Sequence, residues 1–163
     1  MKFIADRTLG KLSRRLRALG FDVLYWGGGN VEEASRAASA GDRILLTRSR
    51  RIKGKTGDPR VLIVEANEPR EQLAELRVKL DLHPRSDQFF SRCLLCNEEI
   101  QAIPKDEAEG RVPDFVYRLY DSFHICPRCR RIYWPGTHYA RMKMELSKTI
   151  ADPESPPEEK GSR

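Results

Sequence analysis

At 163 residues the chain has room for one ordinary domain or two small ones. With 33% of its residues charged it has no apolar run long enough to span a bilayer, and its start, "MKFIADRTLG", lacks the apolar core of a signal peptide. A soluble cytoplasmic protein with no membrane partner is expected. The net charge of +6 is unevenly spread: residues 1–55 hold 13 Lys and Arg against 5 Asp and Glu, a net of +8, which leaves −2 for the remainder. Such a local excess is either a solvated surface or the electrostatic footprint of a nucleic-acid binder.

Residues 2–5, "KFIA", predict a short strand ending at Asp6. "TLGKLSRRLRALG" predicts a helix with Leu9, Leu12, Leu16 and Leu19 on one face and Lys11, Arg14, Arg15 and Arg17 around the rest. Thr8 is its expected N-cap and Gly20 its end. "FDVLYW" is a second strand and "GGGN" a loop. Gly27, Gly28 and Gly29 lack the G-x-G-x-x-G spacing and follow the second strand rather than the first, so a flexible turn is expected, not a phosphate cradle. "VEEASRAASAG" is a second helix stopped by Gly41, and "RILLT" a third strand. A basic loop, "RSRRIKGKTGDPR", leads to a fourth strand, "VLIVE". "NEPREQLAELRVKLDL" is a third helix, with Pro69 in its first turn and Leu73, Leu76 and Leu80 on its buried side. The alternation argues for a mostly parallel sheet with flanking helices over residues 1–84. Right-handed crossovers gather the loops after strands one to three on one edge, so Asp6, "GGGNVEE" and "TRSRR" should share a rim.

The character changes near Pro84. Cys93, Cys96, Cys126 and Cys129 form two C-x2-C pairs separated by 29 residues. Two residues between thiolates let both sulfurs reach one ion, and two such knuckles complete a tetrahedral four-sulfur site that suits zinc. The alternative, a pair of disulfides, needs an oxidising compartment. A zinc ribbon is therefore expected over residues 85–148, with a helical insert in "VPDFVYRLYDSF" that places Phe115, Val116, Leu119 and Phe123 at roughly helical spacing, and with a trailing helix. Tyr133, Trp134, His138 and Tyr139 follow the second knuckle; such aromatics either pack a small ribbon or stack on bases. The four cysteines leave His138 no coordination position to fill. Residues 149–163, rich in Pro, Glu and Ser, are expected as a disordered tail.

The stretches "MKFIADRTLGKLSRRLRALGFDVLYW", "ILLTRSRR", "RCLLCNEEI" and "CPRCRRIYWPGTHYARM" resemble the Mut-seven C-terminal ribonuclease domain family, from Met1 to about Met142. The resemblance implies an α/β fold: a compact PIN-like, mostly parallel sheet followed by a small zinc ribbon. It also implies RNA cleavage by carboxylates that hold magnesium or manganese. Carried over by position, the first acid is Asp6. The second falls near Val31, with Glu32 and Glu33 adjacent, and the third is replaced by Ser49. Serine brings no charge to a cation, so the resemblance implies a depleted site and impaired cleavage. Asp6 equally suits a helix cap, and acids such as Glu32 and Glu33 suit the dipole of a first helical turn. Lys11, Arg14, Arg15, Arg48, Arg50, Arg51 and Lys53 are the candidate RNA contacts. The alternatives are a non-catalytic RNA- or ribonucleoprotein-binding module, and an adaptor that docks a protein partner through the ribbon. Nothing in the sequence sets an oligomeric state.

Overall fold

The computed structural model describes residues 1–52 and 60–151; Lys53, one of the expected RNA contacts, lies outside them. Four strands, β1 (Lys2–Asp6), β2 (Asp22–Trp26), β3 (Ile44–Thr47) and β4 (Val61–Ile63), form a parallel sheet in the order β2-β1-β3-β4. Strand β1 is central, and Phe3, Ile4 and Ala5 are all buried, because a strand covered on both faces must be apolar without alternation.

The two faces of the sheet are covered by different helices. Phe3, Ala5 and Leu46 pack against α1 (Gly10–Ala18) and α3 (Pro69–Leu80), whereas Ile4 and Leu45 pack against Ala34 and Ala38 of α2 (Val31–Ala40). Leu9, Leu12, Leu16 and Leu19 are buried as their spacing predicts. Full burial of one such side chain contributes about 1.5–3 kcal/mol. Pro69 occupies the first turn of α3, and Leu73 and Leu76 are buried beneath it. Gly20, at φ +91°, ends α1 where a Cβ would come within 2.6 Å of the Gln88 carbonyl. Thr8 does not cap α1. A 3₁₀ turn, Arg7–Leu9, precedes the helix, and Asp6 caps that turn instead.

The second half adds a three-stranded antiparallel sheet, β5 (Gln101–Ile103), β6 (Phe123–Ile125) and β7 (Ile132–Tyr133), with a short helix α4 (Asp114–Leu119) before β6. Its core holds Val112, Val116 and Phe123 with Trp134 against them. The expected helical insert is present but ends at Leu119, so Phe123 belongs to β6; within the helix Val116 is buried and Phe115 and Leu119 are exposed. Six residues give too little helix to present a long stripe. The trailing helix α5 (Thr137–Ala151) packs back on α3, and its Leu146 joins the core of the parallel sheet. It also runs past residue 149, the expected start of the tail, with Thr149 buried and bonded to the Glu145 carbonyl.

Sheet and ribbon are joined by polar contacts at the edge strand β2. The Val23 N–H donates to Asn97 Oδ1 at 2.8 Å, and its carbonyl accepts from Arg17 Nε and Nη2 at 2.9 and 2.8 Å. Arg17 Nη1 donates to the carbonyls of Leu94 and Leu95, both at 2.9 Å. Expected on the basic surface, Arg17 is in fact buried. Its burial lowers its pKa, against the opposing influence of the nearby cysteine sulfurs. No helix among the described residues is long and apolar enough to cross a membrane.

Candidate functional site

Strand β1 connects outward to β2, and the chain then returns across β1 to β3. This makes the carboxyl ends of β1 and β3 the point where strand order reverses, the usual place for a ligand crevice in an open parallel sheet. A cleft of about 350 Å³ opens there. Asp6, Glu32, Ser49 and Arg51 line it, together with Arg7 and Trp26. The three rim loops therefore do meet.

Asp6 is the most constrained group in the cleft. Its Oδ1 accepts from the Thr8 N–H at 2.8 Å and the Thr8 hydroxyl at 2.5 Å. Its Oδ2 accepts from the Thr47 hydroxyl at 2.5 Å, and Thr47 Oγ1 in turn accepts from the Ser49 N–H at 3.0 Å. A carboxylate has about four acceptor positions. Three are occupied here, so the carboxylate is held in one orientation with one acceptor position left for a cation. Thr47 is fully buried, a hydroxyl at the end of an apolar strand whose role is to fix Asp6.

The two glutamates separate. Glu32 lines the cleft. Glu33 serves the helix itself. Its N–H donates to Asn30 Oδ1 at 2.8 Å and its Oε2 accepts from the Asn30 N–H at 3.3 Å, a capping box at the start of α2. Gly29, at φ +78°, makes room for that return, since a Cβ there would lie 2.1 Å from Glu33 Oε2. Within the triple-glycine stretch, Gly29 thus serves the start of α2.

The basic candidates are scattered. Arg51 lines the cleft. Arg48, exposed, donates to Asn67 Oδ1, and Arg50 lies 3.9 Å from Glu65. Lys11 and Arg14 are exposed on α1, and Arg15 is paired with Glu145 at 2.8 Å. The loop carrying Glu65 and Asn67 is tied to α3 through Glu75, which accepts from the N–H groups of Glu65 and Ala66. Arg7, Thr8 and Trp26 were not expected at the site, and Asn30 and Thr47 lay in the expected rim segments without a named role. Only the pairing of Asn30 with Glu33, an N-x-x-E capping signature, was visible beforehand.

The candidate metal centre is built from two matching turns. In each C-x2-C the N–H of the second cysteine points at the first sulfur, at 3.3 Å for Cys96 and 3.5 Å for Cys129. The chain then closes back on the first cysteine's carbonyl through a left-handed residue, Asn97 at φ 71° and Arg130 at φ 61°. All four sulfurs lie within 4.8 Å of one another, and Cys93 and Cys129 are 3.7 Å apart. That is close to the ~3.8 Å edge of a tetrahedron with Zn–S bonds of ~2.3 Å, and far beyond a disulfide bond of ~2.05 Å. No cysteine is in a disulfide, and His138 stands outside the cluster. Burial opposes ionisation of Cys93, but hydrogen bonds from the Tyr133 hydroxyl and from backbone N–H groups outweigh it and bring the thiol down to about 7. Burial and the sulfurs of Cys129 and Cys93 push Cys96 up to about 12. Crowded sulfurs that cannot all ionise alone fit a divalent cation between them.

The chain matches no curated protein and no solved structure. The family model of the Mut7-C RNAse domain matches residues 1–146, which span both the rim cleft and the four-cysteine centre. By that match, over nearly all of its length, the chain belongs to the Mut7-C RNAse domain family.

Proposed function

We propose that the protein is a metal-dependent, ribonuclease-type RNA-processing protein of the cytoplasm whose depleted acidic cluster impairs cleavage. One observation carries this reading. Among the described residues lining the rim cleft, Asp6 and Glu32 are the only carboxylates, and Arg7 and Arg51 balance them. A cleft of that charge attracts a divalent cation poorly, while its guanidinium groups suit phosphates.

Asp6 and Glu32 are the groups that would hold magnesium or manganese, in the manner of a hydrated ion bound by one or two carboxylates and completed by substrate phosphate. When bound, the ion supplies an activated water and charge stabilisation at the scissile phosphate. Thr8 and Thr47 keep Asp6 oriented, Arg7 and Arg51 engage the RNA backbone, and Ser49 leaves neutral the position where the family resemblance implies a third acid. Zinc at the four cysteines has a structural role.

The test is manganese titration with a labelled single-stranded RNA. Slow or absent cleavage is expected for the wild type, with a gain in Ser49→Asp and loss of any residual activity in Asp6→Ala. Robust wild-type cleavage abolished by Asp6→Ala would remove the impaired-site reading. The balance of two arginines against two acids also favours a second reading, a non-catalytic RNA- or ribonucleoprotein-binding module. That reading predicts salt-sensitive RNA binding and no gain in Ser49→Asp.

A further inference from the structure

The ribbon has a cleft of its own, about 380 Å³, on the side of the second knuckle. Arg111, Arg130 and Arg131 line it with Leu95, Ile132 and Trp134, and among the described residues no carboxylate lines it. Arg111 donates to the carbonyls of Glu107 at 3.4 Å and Arg130 at 3.2 Å, which fixes its guanidinium without neutralising it. The neighbouring Arg128, by contrast, faces Glu98 at 3.8 Å. Among the described residues no ion pair joins Arg111, Arg130 or Arg131. Trp134 is half-buried: it packs against the small core of Val112, Val116 and Phe123 and also forms a wall of the cleft.

We propose that this cleft is a second RNA-contact site, which takes an unpaired stretch of RNA. Three permanently charged, planar guanidiniums match phosphate oxygens, and an indole beside aliphatic side chains matches the face of an unstacked base. A duplex would satisfy the arginines but keep its base faces hidden. An acidic peptide would satisfy the arginines and leave the aromatic wall idle. The site lies in the ribbon, shares no lining residue with the rim cleft, and depends on the proposed function only for the choice of RNA as ligand. It gives the ribbon a role besides folding, that of holding single-stranded RNA while the rim cleft meets another part of the molecule.

The experiment uses the full zinc-loaded chain and a fluorescein-labelled oligouridylate. The chain has 2 tryptophans, so Trp26→Phe leaves Trp134 as its only indole. Oligouridylate is expected to quench the emission of that variant. The double variant Arg130→Gln, Arg131→Gln is expected to bind about tenfold more weakly, with a salt slope smaller by about two, while zinc content and manganese binding at the rim stay as in the wild type. An unquenched Trp134, or wild-type affinity in the arginine variant, overturns the second site. If RNA binding meanwhile falls in Arg7→Gln, Arg51→Gln, the rim reading stands and only the ribbon site fails. Poly-glutamate that quenches Trp134 as well as oligouridylate does would also overturn the proposal and assign the cleft to a protein.

Discussion

The Asp22 carboxylate accepts from Arg43 Nη1 at 2.7 Å, from Arg43 Nη2 at 2.9 Å and from Asn97 Nδ2 at 2.7 Å. Burial alone would raise its pKa. Hydrogen bonds from Arg43 and Asn97, with the charges of Arg43 and Arg92, outweigh that and hold it below the ordinary carboxylate range. A group whose folded pKa is depressed contributes its stability in full above the unfolded value, about 4, and loses it as pH falls through the folded one. Thermal melting should therefore drop steeply on acidification below about pH 4, and the drop should be shallower in Asp22→Asn. Melting curves of the two proteins across that range check this, and parallel slopes would contradict it. Arg17 shows why such residues are hard to place from sequence. Its side chain lies on a basic helix among exposed Lys11 and Arg14, yet it is buried, because its carbonyl partners are Val23 on the next strand and Leu94 and Leu95, 77 and 78 residues away. Helical periodicity sorts apolar from polar and does not reveal which cation the tertiary fold recruits.

At the scale of elements, the start of α2 separates two adjacent glutamates by geometry. Glu33 at the third helical position must reach back to Asn30, while Glu32 is left beside the cleft. Glu33→Ala should cost about 1 kcal/mol in stability, as lost caps do, and leave manganese affinity unchanged. Glu32→Ala should weaken manganese binding instead. Urea unfolding and manganese titration of the pair check the division; a Glu33→Ala variant that loses the metal while keeping its stability would reverse it. The same contrast explains what could be read in advance. The parallel strands, α1, α2 and α3 follow apolar periodicity and cap chemistry, which are local. Asp6, Ser49, Glu32 and Arg51 could be gathered to one rim because crossover handedness is general. The role of Thr47 escaped because a buried hydroxyl after apolar residues looks like an ordinary β-former until Asp6 lies beside it. In the ribbon, α4 is too short for periodicity to decide its face, so Phe115 and Leu119 came out exposed.

At the scale of the molecule, the parallel sheet and the ribbon are not independent. Leu146 of α5 sits in the sheet's core, and Asn97, one residue past Cys96, is bonded both to the Val23 backbone and to Asp22. The knuckle that would surround zinc is therefore the same turn that grips β2. The two C-x2-C pairs were the plainest feature of the sequence, because metal geometry dictates their spacing. Their attachment to β2 was not visible, since it depends on a left-handed Asn97 whose side chain points out of the knuckle.

That attachment has a consequence for solubility. Strand β2 is an outer strand, bonded on one side to β1 only, and Leu24 and Tyr25 beside Val23 are 42% and 46% exposed. Unguarded outer strands invite pairing with other chains. Asn97 and Arg17 occupy the Val23 amide and carbonyl that a stray strand would seek. Stripping the ion with a strong chelator should loosen the knuckle, free those groups and produce light scattering that rises with protein concentration and reverses when zinc is restored early. A chelated protein that stays clear and monodisperse would show that the outer strand has some other guard.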